Sequence, residues 1–173
     1  MGVQMNSDDY EIIDNFLDES SFSILKTLML SNDFPWYYNE GILTLGDTRL
    51  NQYQFTHTFY RDNLSVSHNF EILTPIIKKI NPVALMRVKA NLNPRTEEIF
   101  EHGYHTDYDN PPSNQRTAVF YVNTNNGFTV FEDGTKIESV ENRLVSFKTP
   151  LLHTGTTCTD VNRRVLINFN YII

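Results

Sequence analysis

Residues 163–171 alternate without a break: Arg164, Leu166, Asn168 and Asn170 share one parity, and Val165, Ile167, Phe169 and Tyr171 the other. Successive strand side chains point to opposite faces, so this period predicts a strand with one face on a core and one polar face lining a cavity. Short β-branched and aromatic runs bounded by turn residues predict further strands over 84–91, 115–123, 128–132, 143–147 and 164–172. Residues 10–17 read as a first strand, 36–38 and 41–45 as short extended pieces, and 52–60 as another strand. Two stretches carry a helical signature. In 19–30 the run follows the capping side chains of Asp18, Ser20 and Ser21, and in 69–80 Phe70, Leu73, Ile76, Ile77 and Ile80 fall near the 3.6 period before Asn81 and Pro82.

Helices first and strands afterwards predict an α+β, mainly β fold: a double-stranded β-helix (jelly roll) with two N-terminal helices packed on one sheet. The length of 173 residues fits one domain over 1–173, with helical support over about 10–80 and a jelly-roll core over about 83–173.

Charge and composition narrow the function classes. A formal charge of −7 argues against a broad surface for nucleic acid or anionic membrane. The single cysteine, Cys158, precludes an intramolecular disulfide and fits a reducing cytoplasm. The polar, acidic start at 1–9 lacks an apolar signal segment, and no stretch approaches the roughly 18 apolar residues that span a bilayer. These features predict a soluble, cytoplasmic protein.

The candidate chemistry lies at His105, Asp107 and His153. In an extended segment His105 and Asp107 project to one side, and His153 follows a strand and turn over 145–152 that aim its ring inward. Two imidazoles and a carboxylate occupy one face of an octahedral iron and leave the other positions open; they also suit catalytic zinc. Alternation then puts Arg164 inside, as a clamp for a carboxylate, and Arg163 outside. If 84–91 joins the same sheet, Arg87, Lys89 and Asn91 share a face that Asn168 and Asn170 meet across the cavity, giving a polar substrate pocket; for Lys89 a solvent-exposed charge is the favoured reading.

With these positions goes a series in fixed order: HTD at 105–107, AVFYVN at 118–123, GFTVF at 127–131, RLVSFKTPLLH at 143–153 and RVLINF at 164–169. As a set it resembles the Fe(II)- and 2-oxoglutarate-dependent dioxygenases, in particular their small prolyl 4-hydroxylase-like branch, whose first strand and helix 10–30 also resembles. The resemblance implies that His105, Asp107 and His153 hold Fe(II), that Arg164 binds the distal carboxylate of 2-oxoglutarate, and that Tyr121 donates its hydroxyl to it. It implies hydroxylation of a peptide or small-molecule substrate by dioxygen with release of succinate and carbon dioxide. Procollagen-type members carry lysine where Arg164 stands, which weakens proline as the substrate. The stretch 158–171 resembles small phage-encoded members, implying a bacterial host's cytoplasm.

Other residues read as structural. His57 and His68 lack ligand-spaced partners, Cys158 lacks a histidine partner for nucleophilic catalysis, and Gly127 and Gly134 read as turn residues. Residues 97–103 and 109–115 flank the first two ligands, where loops often form lids. Two alternatives stand beside the oxygenase: a non-catalytic jelly-roll module that keeps the triad as a metal or ligand site, and a zinc hydrolase. The hydrolase lacks a second carboxylate beside the ligands and gives Arg164 no role.

Overall fold

The computed structural model describes residues 9–42 and 53–173. A short strand β1 (Tyr10–Ile13) leads to helix α1 (Glu19–Leu30), followed by strands β2 (Tyr37–Glu40), β3 (Tyr53–Arg61) and β4 (Leu64–Ser65). A 3₁₀ turn (Phe70–Leu73) runs into helix α2 (Thr74–Ile80). The strands β5 (Ala84–Pro94), β6 (Gln115–Tyr121), β7 (Phe128–Phe131), β8 (Lys136–Glu138), β9 (Leu144–Lys148), β10 (His153–Gly155) and β11 (Arg163–Ile172) complete the chain. Among the described residues no helix is long and apolar enough to cross a membrane.

Helix α1 starts where the sequence predicts, because Asp18 Oδ1 accepts the Ser21 amide at 2.9 Å. The second predicted helix is two pieces. Pro75 has no amide hydrogen to give to a preceding carbonyl, so 70–73 winds as 3₁₀ and the α-helix begins with the proline in its first turn. Asn81 then ends it in a left-handed conformation, φ 49°. The first strand is shorter than predicted because Asn15 takes a positive φ of 51°, after which Phe16 and Leu17 turn into the core. Of the piece predicted over 41–45, residues 43–45 lie outside the described residues, as does Gln52; Gly41 and Ile42 are not in a strand.

The larger sheet runs β1-β9-β6-β11-β5-β3-β2, with β4 paired to β3, and the smaller runs β10-β7-β8. Both are antiparallel, and with the two helices on one face they form the predicted jelly roll. Val165, Ile167, Phe169 and Tyr171 of β11 join Phe22, Leu25, Met29, Leu73 and Ile76 of the helical layer in one buried cluster. The opposite parity turns to the space between the sheets, where Val119, Tyr121, Phe131, Val145, Phe147 and Leu166 form a second cluster. The predicted split of β11 into core and cavity faces therefore holds. Both faces of β6 and β11 are largely buried, the polar residues of β11 included.

Candidate metal and carboxylate site

Strand β5 sets the floor of the site. Its alternate residues Arg87, Lys89, Asn91 and Asn93 pair in register with Asn170, Asn168, Leu166 and Arg164 of β11. The Arg87 and Asn91 side chains thus lie beside Asn168 and Asn170 on neighbouring strands, and do not face them across the cavity as the sequence reading has it. The antiparallel register of a directly bonded pair gives the reason, since residues of equal facing in adjacent strands sit side by side. Arg87, Asn91, Asn168 and Arg164 line the cavity, whereas Asn170 is wholly buried beneath it. Lys89 also lines the cavity, which corrects the exposed-charge reading: the small sheet covers this face.

His105, Asp107 and His153 converge, with one potential ligand atom of each within 4.8 Å of the others. The segment 104–107 is not a strand, contrary to expectation. His105 is held instead by an isolated antiparallel bridge to His153, their backbones exchanging two 3.0 Å hydrogen bonds. Gly103 just before it takes φ 122° and donates its amide to Thr154 Oγ1. His153 opens β10 in the smaller sheet, so a turn over 149–152 separates it from β9 and aims its ring inward.

Both rings face carbonyl oxygens through Nδ1, His105 to Gly103 at 3.3 Å and His153 to Leu151 at 3.0 Å. With Nδ1 protonated in each, the Nε2 lone pairs are left for the cavity side. Asp107 accepts Arg87 Nη2 at 3.1 Å on Oδ1, and Thr117 Oγ1 at 2.9 Å and Asn170 Nδ2 at 2.8 Å on Oδ2. Burial alone would raise the Asp107 carboxyl; the neighbouring His153 and the Arg87 guanidinium, with the Asn170 and Thr117 hydrogen bonds, hold it below the usual value. Burial pushes the His105 imidazole below the ordinary histidine value, and His153 beside it adds to the effect. A neutral imidazole pair and an ionised carboxylate are the protonation states a cation needs.

Arg164 is fully buried. It donates from Nε to Ser139 Oγ at 2.8 Å, from Nη1 to the Thr156 carbonyl at 3.4 Å and from Nη2 to Thr129 Oγ1 at 3.3 Å. None of these partners is charged, and no carboxylate among the described residues pairs with it. Arg163 is half-buried on the other side and donates to the Leu30 carbonyl at the end of α1, as alternation predicts. Tyr121 is buried and does not line the cavity; its hydroxyl donates to Thr129 Oγ1 at 2.9 Å, and the guanidinium carbon of Arg164 lies 5.7 Å from its ring centre. Thr129, unlike Tyr121, does line the cavity.

Gly127 is not simply a turn glycine. A Cβ there would stand 2.5 Å from the Thr157 carbonyl oxygen and 2.6 Å from Arg164 Cδ, so its bare backbone makes the room that Arg164 occupies. Gly134, with φ 89°, is the turn residue. The polar stretch from Thr154 is no solvated loop: Thr154, Thr156 and Thr157 are buried, because Thr156 and Thr157 hydroxyls accept the Phe128 and Phe100 amides. A bridge between Glu101 and Thr156 also fastens the first predicted lid, 97–103. His57 is structural, its ring between the Pro35 carbonyl and Ser67 Oγ, and Cys158 is buried with its thiol on the Val161 carbonyl.

Sequence reasoning noted His102 only as close to the site and assigned it no role, and it undervalued Lys89. His102 is buried, lines the cavity and has no hydrogen-bond partner on either ring nitrogen; burial, then the charge of Arg164 and the proximity of His105, push its pKa down to about 4. Its place three residues before His105 was the only signal. Lys89 is lowered to about 8, first by burial and then by Arg87.

No protein-family model matches the chain, and no curated protein matches it in sequence. Solved structures do match. A Trichoplax adhaerens prolyl hydroxylase in complex with a hypoxia inducible factor oxygen degradation domain peptide fragment superposes with a TM-score of 0.70 at 16% identity, covering 96% of this chain and 84% of that one. A Burkholderia pseudomallei oxidoreductase of the 2-oxoglutarate-Fe(II) oxygenase family gives 0.67 at 11% identity, covering 96% and 86%. A viral collagen prolyl hydroxylase from Paramecium Bursaria Chlorella virus-1 gives 0.58 at 16% identity, covering 95% and 96%. The chain therefore has the fold of prolyl hydroxylases and 2-oxoglutarate-Fe(II) oxygenases.

Proposed function

We propose that this protein is an Fe(II)- and 2-oxoglutarate-dependent oxygenase that hydroxylates an amino-acid side chain or a small molecule. One observation carries the reading: a buried guanidinium without an acidic partner opens on the same cavity as a convergent His-Asp-His triad. An unpaired buried charge costs several kcal/mol, on the order of the desolvation penalty, and a site that keeps one is built for an anion that arrives later. A zinc hydrolase gives that cation nothing to bind.

The donor set fits the proposed metal. His105, Asp107 and His153 would hold Fe(II) through two neutral imidazoles and one ionised carboxylate, the set that suits iron with open positions. Arg164 would bind the distal carboxylate of 2-oxoglutarate. With both bound, the site supplies oxidative decarboxylation: dioxygen puts one oxygen atom into the substrate C–H bond and the other into succinate, and carbon dioxide leaves.

The protein's own residues supply position and exclusion. Arg87, Thr117 and Asn170 fix both oxygens of Asp107, so the ligand does not rotate as charge changes beside it. Gly103 and Leu151 carbonyls set which nitrogen of each histidine is free. Ser139 and Thr129 hold the Arg164 fork, and Tyr121 holds Thr129, so the tyrosine acts on the cosubstrate end through its neighbour. Phe131 and Phe147 pack against the His153 ring, and Leu166 of the same buried cluster lines the cavity. The whole chain, 1–173, is on this reading one catalytic domain. A cytoplasmic setting accords with its lone, buried thiol, and the acidic balance disfavours long nucleic acids as substrate.

The test is succinate formation from 2-oxoglutarate by protein reconstituted with Fe(II), with and without oxygen, against peptide and metabolite pools screened by mass for a gain of one oxygen atom. Oxygen-dependent succinate that disappears in His105→Ala and Asp107→Ala is the expected result. Turnover that survives either change rules the assignment out; tight 2-oxoglutarate binding without turnover leaves a ligand-binding module in its place.

A further inference from the structure

Among the described residues, the cavity lining carries more positive charge than the proposed metal and cosubstrate neutralise. Its described lining holds three permanent or nearly permanent cations, Arg87, Lys89 and Arg164, against one carboxylate, Asp107. On the reading above, a dication and a doubly negative 2-oxoglutarate cancel each other, so an excess of two positive charges persists with both in place. Two of the three cations have assigned partners. Arg164 takes the distal carboxylate, and Arg87 gives Nη2 to Asp107 and Nε to Asn170 Oδ1.

Lys89 has neither a hydrogen bond nor an ion pair among the described residues. It sits on β5 two residues from Arg87, paired in register with Asn168, and on the face that turns to the metal ligands. Its Nζ is not sealed in, so it is open to an incoming molecule. A largely buried lysine without a hydrogen-bonded anion gives up part of its hydration, and Asp107 offers it only a longer-range attraction, so a carboxylate arriving beside it is favoured.

We infer that Lys89 receives a carboxylate of the primary substrate, which makes the substrate class small carboxylic acids, free amino acids among them. The inference rests on the proposed oxygenase function. A phosphate is the poorer occupant: phosphate sites gather backbone amides at a helix N-terminus or a glycine-rich loop, and the described lining has neither.

The experiment uses the full chain loaded with Fe(II) and 2-oxoglutarate. Without oxygen, thermal shift is read with a pool of free L-amino acids and small carboxylic acids, then with the same compounds as primary amides; with oxygen, succinate formation is read for both pools. The acid pool is expected to raise the melting temperature and stimulate turnover, and the amide pool to do neither. For the most active acid, Lys89→Met is expected to raise KM by about 10- to 100-fold, the loss of one charge-assisted hydrogen bond, with a smaller change in the KM for 2-oxoglutarate. Lys89→Arg, which keeps the charge, restores most of the affinity and shows that the effect is not misfolding.

Amides that act as well as acids overturn the inference. So do an acid pool without effect, a phosphate ester that acts where acids do not, or a Lys89→Met change confined to 2-oxoglutarate. Absence of iron-dependent 2-oxoglutarate binding removes the proposed function and this inference with it; binding intact with acids inert removes the inference alone.

Discussion

Gly127→Ala isolates the space that Arg164 needs. The added methyl would lie 2.5 Å from the Thr157 carbonyl oxygen, 2.6 Å from Arg164 Cδ and 2.9 Å from Asn125 Oδ1. Comfortable contacts between such atoms lie at roughly 3.5–4.0 Å, so about an ångström must be found on two sides at once. The Thr157 carbonyl is backbone in a buried stretch and cannot swing away, which leaves the Arg164 stem to move. Overpacking of this kind costs about 1–3 kcal/mol, and in a chain of this size each kcal/mol lowers Tm by about 2–4 °C, giving a fall of about 2–12 °C. The guanidinium shifts with its stem, and loss of a charge-assisted pair to the cosubstrate, about 1.5–3 kcal/mol, raises the 2-oxoglutarate Kd by about 10- to 100-fold. Gly155→Ala is the control, because its methyl meets only Arg164 Nη1 at 3.4 Å, an ordinary contact. Calorimetric Tm and anaerobic 2-oxoglutarate titration of the two variants decide the matter. A Gly127→Ala protein with parental Tm and Kd, or one no worse than Gly155→Ala, refutes the packing argument.

Other expectations follow from the same geometry. Arg87→Leu unfastens one oxygen of Asp107 and is expected to weaken Fe(II) binding by about 10- to 100-fold in a metal titration, with Asp107 itself still present. Stability should fall on acidification because of His102: its folded pKa of about 4 lies below the unfolded value near 6.5, so the unfolded chain takes up the proton first. That stability is complete above about pH 6.5, declines as pH falls, and is lost below about pH 4, amounting to about 3 kcal/mol. Denaturant unfolding across this range checks it, and His102→Phe, which swaps two unpartnered nitrogens for an apolar ring, is expected to flatten the slope and leave the protein at pH 7 as stable or more so.

The C-terminal strands were the most legible part of the fold. In β11 one parity is apolar and the other polar or charged, and that alone separated the helix-packed face from the cavity face and Arg164 from Arg163. Helix α1 was legible through its cap at Asp18. Legibility failed where long-range pairing overrides local pattern. His105 and Asp107 share a site because a bridge to His153 and three hydrogen bonds to Asp107 hold them, not because 104–107 is a strand. The relation of Arg87 and Asn91 to Asn168 and Asn170 depends on which strands are neighbours, which alternation cannot report. Short β8 and β10 flank β7 and have too few residues to show a period. Lys89 and His102 were misjudged for one reason: burial is imposed by the covering sheet and the loop before the triad, and a local window contains neither.

On the proposed function a triad-bound iron and Arg164 bind 2-oxoglutarate together. Arg164→Met separates binding from folding, because replacing an unpaired buried cation by an apolar chain is neutral or stabilising for the free protein, while it deletes the partner of the distal carboxylate. Anaerobic titration of 2-oxoglutarate into the Fe(II) protein, followed by the weak visible absorption of the chelate, is the most direct test. A saturable band is expected in the parent protein, and in Arg164→Met an unchanged or higher Tm with a Kd raised about 100-fold, corresponding to about 3 kcal/mol. No band in the parent, or an unaltered Kd in the variant, contradicts it.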